Sequence, residues 1–188
     1  MATMVGRKTM ARMFRFLTAD EIEVKVKQVK ENGLVCLLYK TARTDMDLLD
    51  ETVGPWRWET DYREIKGNLY AGIGIRNEDD DTMVWKWDCG IESREDGEGN
   101  EKKGEASDAF KRAGFRWGIG RELYTSPFVW IGADKAEIKA NTYNGKTTFK
   151  CFDKFSVEKI AYDENTGRII GLAIRNDSKK CRAFVWQA

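Results

Sequence analysis

Lys103-Gly104-Glu105-Ala106-Ser107-Asp108-Ala109-Phe110-Lys111-Arg112-Ala113-Gly114-Phe115-Arg116-Trp117-Gly118-Ile119-Gly120-Arg121-Glu122-Leu123-Tyr124 is the stretch on which the fold turns. It is too polar for a core segment and too regular for a loop. At about 100° per residue, Ala106, Ala109, Phe110, Ala113, Trp117, Gly120 and Tyr124 gather on one face. Asp108, Lys111, Arg112, Phe115, Arg116 and Ile119 fall on the other. The small residues of the apolar face let such a helix lie close on a sheet.

The sheet is legible upstream. Trp56, Trp58, Thr60 and Tyr62 alternate with Arg57, Glu59, Asp61 and Arg63. After the turn Lys66-Gly67-Asn68, Leu69, Ala71, Ile73 and Ile75 alternate with Tyr70, Gly72, Gly74 and Arg76. After an acidic turn, Met83, Trp85, Trp87, Cys89 and Ile91 alternate with Val84, Lys86, Asp88, Gly90 and Glu92. Period-two alternation over three successive segments predicts an antiparallel meander with one buried face. Glycines 72, 74 and 90 on the second face either leave room for a close approach or mark bulges and coiling. A polar loop, Arg94 to Asn100, leads into the helix.

Further out, Thr18-Ala19-Asp20-Glu21 has the form of a capping box. Ile22 to Lys30 reads as either helix or strand, and Leu34 to Tyr39 as a buried strand. Asp45 to Val53 has helical spacing, stopped by Gly54-Pro55. Beyond the helix, Phe128 to Ile131, Thr147 to Phe155, Val157 to Tyr162, Arg168 to Ile174 and Arg182 to Trp186 are strand candidates. Asp163 to Gly167 gives a hairpin signal. The expected fold class is α+β: a β-β-β-α core whose antiparallel meander packs on a long amphipathic helix, with a small β-rich C-terminal extension. The expected divisions are a basic arm over 1–19, a core over 20–132 and the extension over 133–188.

Composition narrows the chemistry. The 188 residues include seven Trp, nine Phe and six Tyr, enough to bury a core despite a charged share of 34%. There is no histidine, so Ser-His and Cys-His nucleophile pairs are impossible. Cys36, Cys89, Cys151 and Cys181 are scattered without a Cys-x-x-Cys pair, which argues against a disulfide framework or a zinc site. They read as small buried hydrophobes. No apolar run approaches the roughly 20 residues of a membrane span, and residues 1–16 lack the apolar block of a secretory signal. The expectation is a soluble cytoplasmic protein without a membrane partner. Net charge is only +1, but residues 77–101 carry ten acids and two bases, leaving the remainder at +9. A basic body with acidic loops can present a positive groove.

Three features bear on function. Lys111, Arg112 and Arg116 beside an outward Phe115 suit a phosphate backbone, although an ordinary solvated helix face has the same pattern. Glu78 to Asp81 reads as a solvated turn. Asp88 and Glu92, four apart on a strand, could hold a cation, but no third ligand has a fixed spacing to them. Gly72-x-Gly74 and Gly118-x-Gly120 lack a Walker or Rossmann context, so no nucleotide or other cofactor is expected.

The run Gly104 to Ala113 followed by Trp117-Gly118-Ile119-Gly120-Arg121-Glu122-Leu123-Tyr124, after the helix ending at Gly54, the Trp56 strand and Lys66-Gly67-Asn68-Leu69-Tyr70, resembles the Rad-fifty-two-type single-strand annealing proteins. Phage Sak-type and bacterial DdrA-type proteins belong to that group, and the phage type is nearest. The resemblance covers about 34–131. It implies a β-β-β-α core assembling as a homo-oligomer, in rings or helical filaments. It also implies ATP-independent binding of single-stranded DNA in a basic groove and annealing of complementary strands, in homologous recombination and repair in a bacterial host cell. It implies no enzyme activity. Lys111 and Arg112 match the family's groove pair, and Arg43 falls near another groove arginine. Lys40, Lys66, Lys102, Lys103 and Arg116 are further DNA-binding candidates by position and charge. Arg116 and Phe115 face either DNA or a neighbouring subunit. A phage exonuclease or a host single-strand-binding protein are the possible protein partners. A non-annealing protective module is the alternative, with a metal-dependent nuclease third.

Overall fold

A computed structural model describes residues 12–91 and 101–188; the Glu101 side chain is not described. The expected Arg94 to Asn100 loop, the start of the basic arm and Glu92 lie outside the described residues. The chain is mixed α and β, and among the described residues every strand pairing is antiparallel. The order is β1 (Glu23–Lys30), β2 (Gly33–Tyr39), α1 (Ala42–Val53), β3 (Trp58–Ile65), β4 (Asn68–Arg76), β5 (Met83–Cys89), α2 (Glu101–Trp117), β6 (Val129–Gly132), β7 (Ile138–Tyr143), β8 (Lys146–Cys151), β9 (Phe155–Tyr162), β10 (Ile169–Asn176) and β11 (Cys181–Gln187).

The capping box at Thr18 closes only a single 3-10 turn, Ala19–Glu21. The alternation of valine with lysine after it then decides for strand. Val24 and Val26 point inward, and a bulge before Gln28 shifts the parity so that Val29 does too. In α1, Thr41 caps the first turn by accepting the Thr44 amide at 3.2 Å, and Gly54 ends the helix at φ +86°.

Three sheets result. β3-β4-β5 form a meander in which the two-residue turn Lys66-Gly67, both at positive φ, joins β3 to β4. β7 and β8 form a second hairpin through Asn144-Gly145, again both at positive φ. The third is six-stranded, ordered β11-β10-β9-β1-β2-β6. It crosses the expected break between 132 and 133, because β9 lies beside β1 with Glu23 opposite Ser156. Val157, Ile169, Leu172 and Ile174 share one apolar cluster with Phe14, Leu17, Ile22 and Phe110. The C-terminal strands are therefore part of the same core, not an extension of it. Among the described residues, no helix is long and apolar enough to cross a membrane.

α2 lies on β4 and β5. Gly90 makes this contact possible, since a Cβ there would collide with the Glu105 carbonyl and meet Ala109 at 3.1 Å. Phe110 packs against Trp58, and the Trp117 indole donates to the Ile73 carbonyl at 2.9 Å. Two helical-wheel assignments are corrected because the helix stops at Trp117. Gly118, at φ +110°, turns the chain, so Ile119 is fully buried while Tyr124 is 79% exposed.

The alternation of β5 is also used the opposite way. Trp87 and Trp85 sit opposite Gly72 and Gly74, and a Cβ on either glycine would fall within 2.7 Å of an indole ring. The two indoles thus lie flat over β4, on the face away from α2. Lys86 and Asp88 face the helix instead. The space left by Gly72 and Gly74 is filled by tryptophan, and that left by Gly90 by helix backbone.

Candidate nucleic-acid interface

One side of α2 presents a row of charges along β5. The Arg112 Nε donates to Asp108 one turn earlier at 2.9 Å, and the Arg116 Nε donates to Asp88 of β5 at 2.8 Å. The Asp108 carboxylate also accepts the Ile91 amide, which ties the end of β5 to the helix. Asp108 holds the Arg112 guanidinium above its ordinary pKa, so that charge is permanent.

The C-terminal end of α2 gathers two more cations. Arg121 follows Gly118 and Gly120 back over the helix end, donating to the Phe115 carbonyl at 2.8 Å and the Arg116 carbonyl at 2.7 Å. Lys86 reaches the same Arg116 carbonyl at 3.3 Å and lies 4.0 Å over the Trp117 ring. Partial burial, and then Arg121, lowers the Lys86 pKa. The free carbonyls at a helix C-terminus carry partial negative charge, so cations collect there for a reason internal to the fold. Sequence reasoning passed over Arg121 and Lys86. The signal for Arg121 was a basic residue just beyond two glycines at a helix end. Lys86 had none, because its neighbours Trp85 and Trp87 pointed to the wrong buried face.

On the opposite side, α2 meets α1. The Lys40 ammonium lies 2.6 and 2.5 Å from the two Asp45 oxygens and 3.3 Å from the Lys111 carbonyl. Both side chains are buried, Asp45 fully. Burial pushes the Asp45 carboxyl up to about 6, against the pull of Lys40, and burial likewise lowers the Lys40 pKa. Gly114 admits this pair, because a Cβ there would stand 2.5 Å from an Asp45 oxygen. Lys40 is thus committed inside the protein, and its expected place on a DNA surface is corrected. Arg43 is exposed in the first turn of α1. The half-buried Lys111 side chain lies within electrostatic range of Lys40 and Asp45.

The remaining candidates cluster at the other end of α2. Lys102 and Lys103 are exposed in its first turn. Lys66 is at the tip of the β3–β4 hairpin, which is tied to the helix by the Leu69 amide on Glu105 at 3.1 Å. Lys102, Lys103, Lys111, Arg112 and Arg116 therefore lie along one helix, Arg112 and Arg116 on its β5 side and Lys111 toward α1, with Lys66 near its start and Arg43 on its neighbour. From Lys102 to Arg116 the helix rises roughly 21 Å.

The carboxylates are otherwise engaged. Asp88 is held by Arg116, Asp80 accepts the Thr82 hydroxyl at 2.6 Å, and Asp81 lies 3.5 Å from Arg76. Among the described residues, no group of three or more metal-ligating side chains comes together. Cys36 is buried, and its thiol pKa is raised by burial to about 12. Cys89, Cys151 and Cys181 are half-buried and unbridged. No family model, curated protein or solved structure matches this chain.

Proposed function

We propose that the chain binds single-stranded DNA along α2 and anneals complementary strands without ATP, as the resemblance to the Rad-fifty-two-type proteins implies. The observation carrying this reading is the run of cations along one helix: Lys102 and Lys103 in its first turn, Arg112 and Arg116 on its β5 side with Arg121 and Lys86 at its end, and Lys111 toward α1, which carries Arg43. Such a row neutralises phosphates in succession and releases their counterions, which gives sequence-independent affinity. The β3-β4-β5-α2 unit is the annealing core in this reading. Copies of it assemble as a ring or filament that continues the row from subunit to subunit. The strand is held extended with its bases available, so hairpins are removed and the search for a complement costs less entropy. No bond is made or broken. The setting is recombination in a bacterial host cell, with a phage exonuclease or a host single-strand-binding protein as partner.

Replacing Lys111 and Arg112 together by Ala tests this. Two lost phosphate contacts reduce the slope of log affinity against log salt by about 1.4 for a single strand. Oligomer mass is expected to stay unchanged. Unaltered binding and slope would remove these residues from the site. Mixing complementary labelled oligonucleotides with the wild-type protein separates annealing from protection, since a protective module slows duplex formation and an annealing protein speeds it.

A further inference from the structure

Tyr124 stands at the end of the cation row and has no role in the core. Its ring is 79% exposed. Its backbone, in contrast, is fixed within the 3-10 turn Arg121–Thr125. The Leu123 amide donates to the Gly120 carbonyl, the Ser126 amide to the Leu123 carbonyl, and the Thr125 hydroxyl to the Glu122 carbonyl. Glu122 is buried beneath the turn and accepts the Leu17 amide at 2.9 Å. Phe115 supports the ring from one side, with centroids 4.7 Å apart and planes tilted by 52°. A large aromatic is thus held out into solvent on a rigid base. An aromatic so anchored, with one face supported and its ring largely in solvent, binds a further ring at little cost in conformational entropy.

The surroundings select the kind of ring. Arg121 lies 5.5 Å over Phe115, the immediate support of Tyr124. Arg112 is in electrostatic range of Tyr124. Lys86 is tied to the same helix end through the Arg116 carbonyl, and the Arg116 guanidinium lies against β5. Against these four cations stand two carboxylates, Asp88 and Asp108, already bonded to Arg116 and Arg112. The surroundings call for a ligand that brings a flat ring and a negative charge on the same unit, repeated. A single-stranded nucleic acid has that form, whereas a duplex has both faces of each base already stacked.

We propose that Tyr124 is a base-stacking residue: an unpaired base of a single strand lies on its ring while Arg112, Arg116 and Arg121 hold the adjacent phosphates. The inference rests on the nucleic-acid reading above and adds to it a reason for preferring single strands. It also gives the row of phosphate contacts a fixed end.

The test compares wild-type protein, Tyr124→Ala and Tyr124→Phe on two fluorescein-labelled oligomers of equal length, oligothymidylate and a chain of abasic sites, by fluorescence anisotropy, with oligomer mass by light scattering. Wild type is expected to prefer the thymidylate. Tyr124→Ala should bind it about 5- to 150-fold more weakly, the range for one lost stacked base, while affinity for the abasic chain stays level. Tyr124→Phe should restore the preference. Equal binding of both oligomers by wild type overturns the stacking role and leaves phosphate binding intact. An equal loss on both oligomers in Tyr124→Ala, or no loss on either, overturns it as well. If affinity falls only as oligomer mass falls, the ring belongs to a contact between copies and the proposal is wrong. Binding of neither oligomer by wild type overturns the nucleic-acid reading itself, and this inference with it.

Discussion

Lys40 and Asp45 show what a single buried pair does in this fold. Burial moves both groups toward their neutral forms, Asp45 up to about 6 and Lys40 downward, so desolvation outweighs their attraction. Such a pair is a poor source of stability and a good device for register. Here it fixes α1 against α2, in the notch left by Gly114, and thereby sets Arg43 on one helix relative to Lys111 on the other. Lys40→Met strands a buried carboxylate and is expected to cost about 3–5 kcal/mol. Adding Asp45→Asn should recover about 1–3 kcal/mol of that. Urea unfolding of the two single variants and the double decides it, and simple additivity would mean that the two groups are uncoupled. None of this is visible in the sequence. Lys40 there is one more cation near Arg43, and the fact that makes it internal is the meeting of residue 40 with the backbone of residue 111.

The elements divide by how local their causes are. α1 was legible from its spacing and its glycine stop, and the meander from alternation, because each depends on neighbours a few residues away. β5 was legible as a strand but not as to which side is inside. Its indoles are placed by glycines on β4, a cross-strand cause that periodicity within one strand does not carry. The hairpin of β7 and β8 was missed as such, although Asn144-Gly145 is a strong local turn signal. Arg112 and Arg116 were legible as neighbours because a helix face follows from sequence; that Lys111 turns toward α1 was not, because it depends on the packing of the two helices, and the cations at the C-terminal end close over the helix from outside. The segment Arg12–Ile22 has a cause of its own. Arg15 pairs with Glu21 at 2.8 Å and with Glu51 of α1 at 2.9 Å, and Phe16 stacks on Tyr162 of β9. Arg15 first, with help from the Thr18 amide, holds the Glu21 carboxyl at about 2, below its usual 4.5. A carboxylate depressed on folding adds stability above its unfolded pKa and loses it as pH falls toward the folded one. Wild type should therefore be more stable than Glu21→Gln by a constant margin above about pH 4.5. That margin should shrink to nothing as pH falls through about 2. Denaturation midpoints of both proteins across this range give the answer, and a margin that grows on acidification would contradict it.

At the scale of the whole molecule, the two ends of the chain complete one sheet. β1 is bordered by β2 on one side and by β9 on the other, and the curl of the sheet brings β11 near β6. A chain ending at Gly132 loses Phe155, Val157, Ile169, Leu172 and Ile174 from the core. At about 1.5–3 kcal/mol for each buried side chain, the loss is roughly 8–15 kcal/mol, as large as the whole stability of a typical domain, about 5–15 kcal/mol. That fragment is expected to show no cooperative urea transition by circular dichroism, and a sharp transition would mean that the N-terminal part folds alone. Pairing between strands so distant in sequence leaves no local pattern, which is why the division at 132 looked natural from the sequence. The same pairing has a consequence during synthesis. Glu23 waits for Ser156, 133 positions downstream. At about 5–20 residues per second on the ribosome, this is roughly 7–27 s in which Glu23, where β1 meets β9, has no partner on that side. Lys25, Lys27 and Lys30 line that strand, and lysine on an open edge discourages pairing with other chains. In the finished protein β9 pairs with β1 at Glu23, so these exposed lysines guard the rest of that edge against other chains after folding as well as during synthesis.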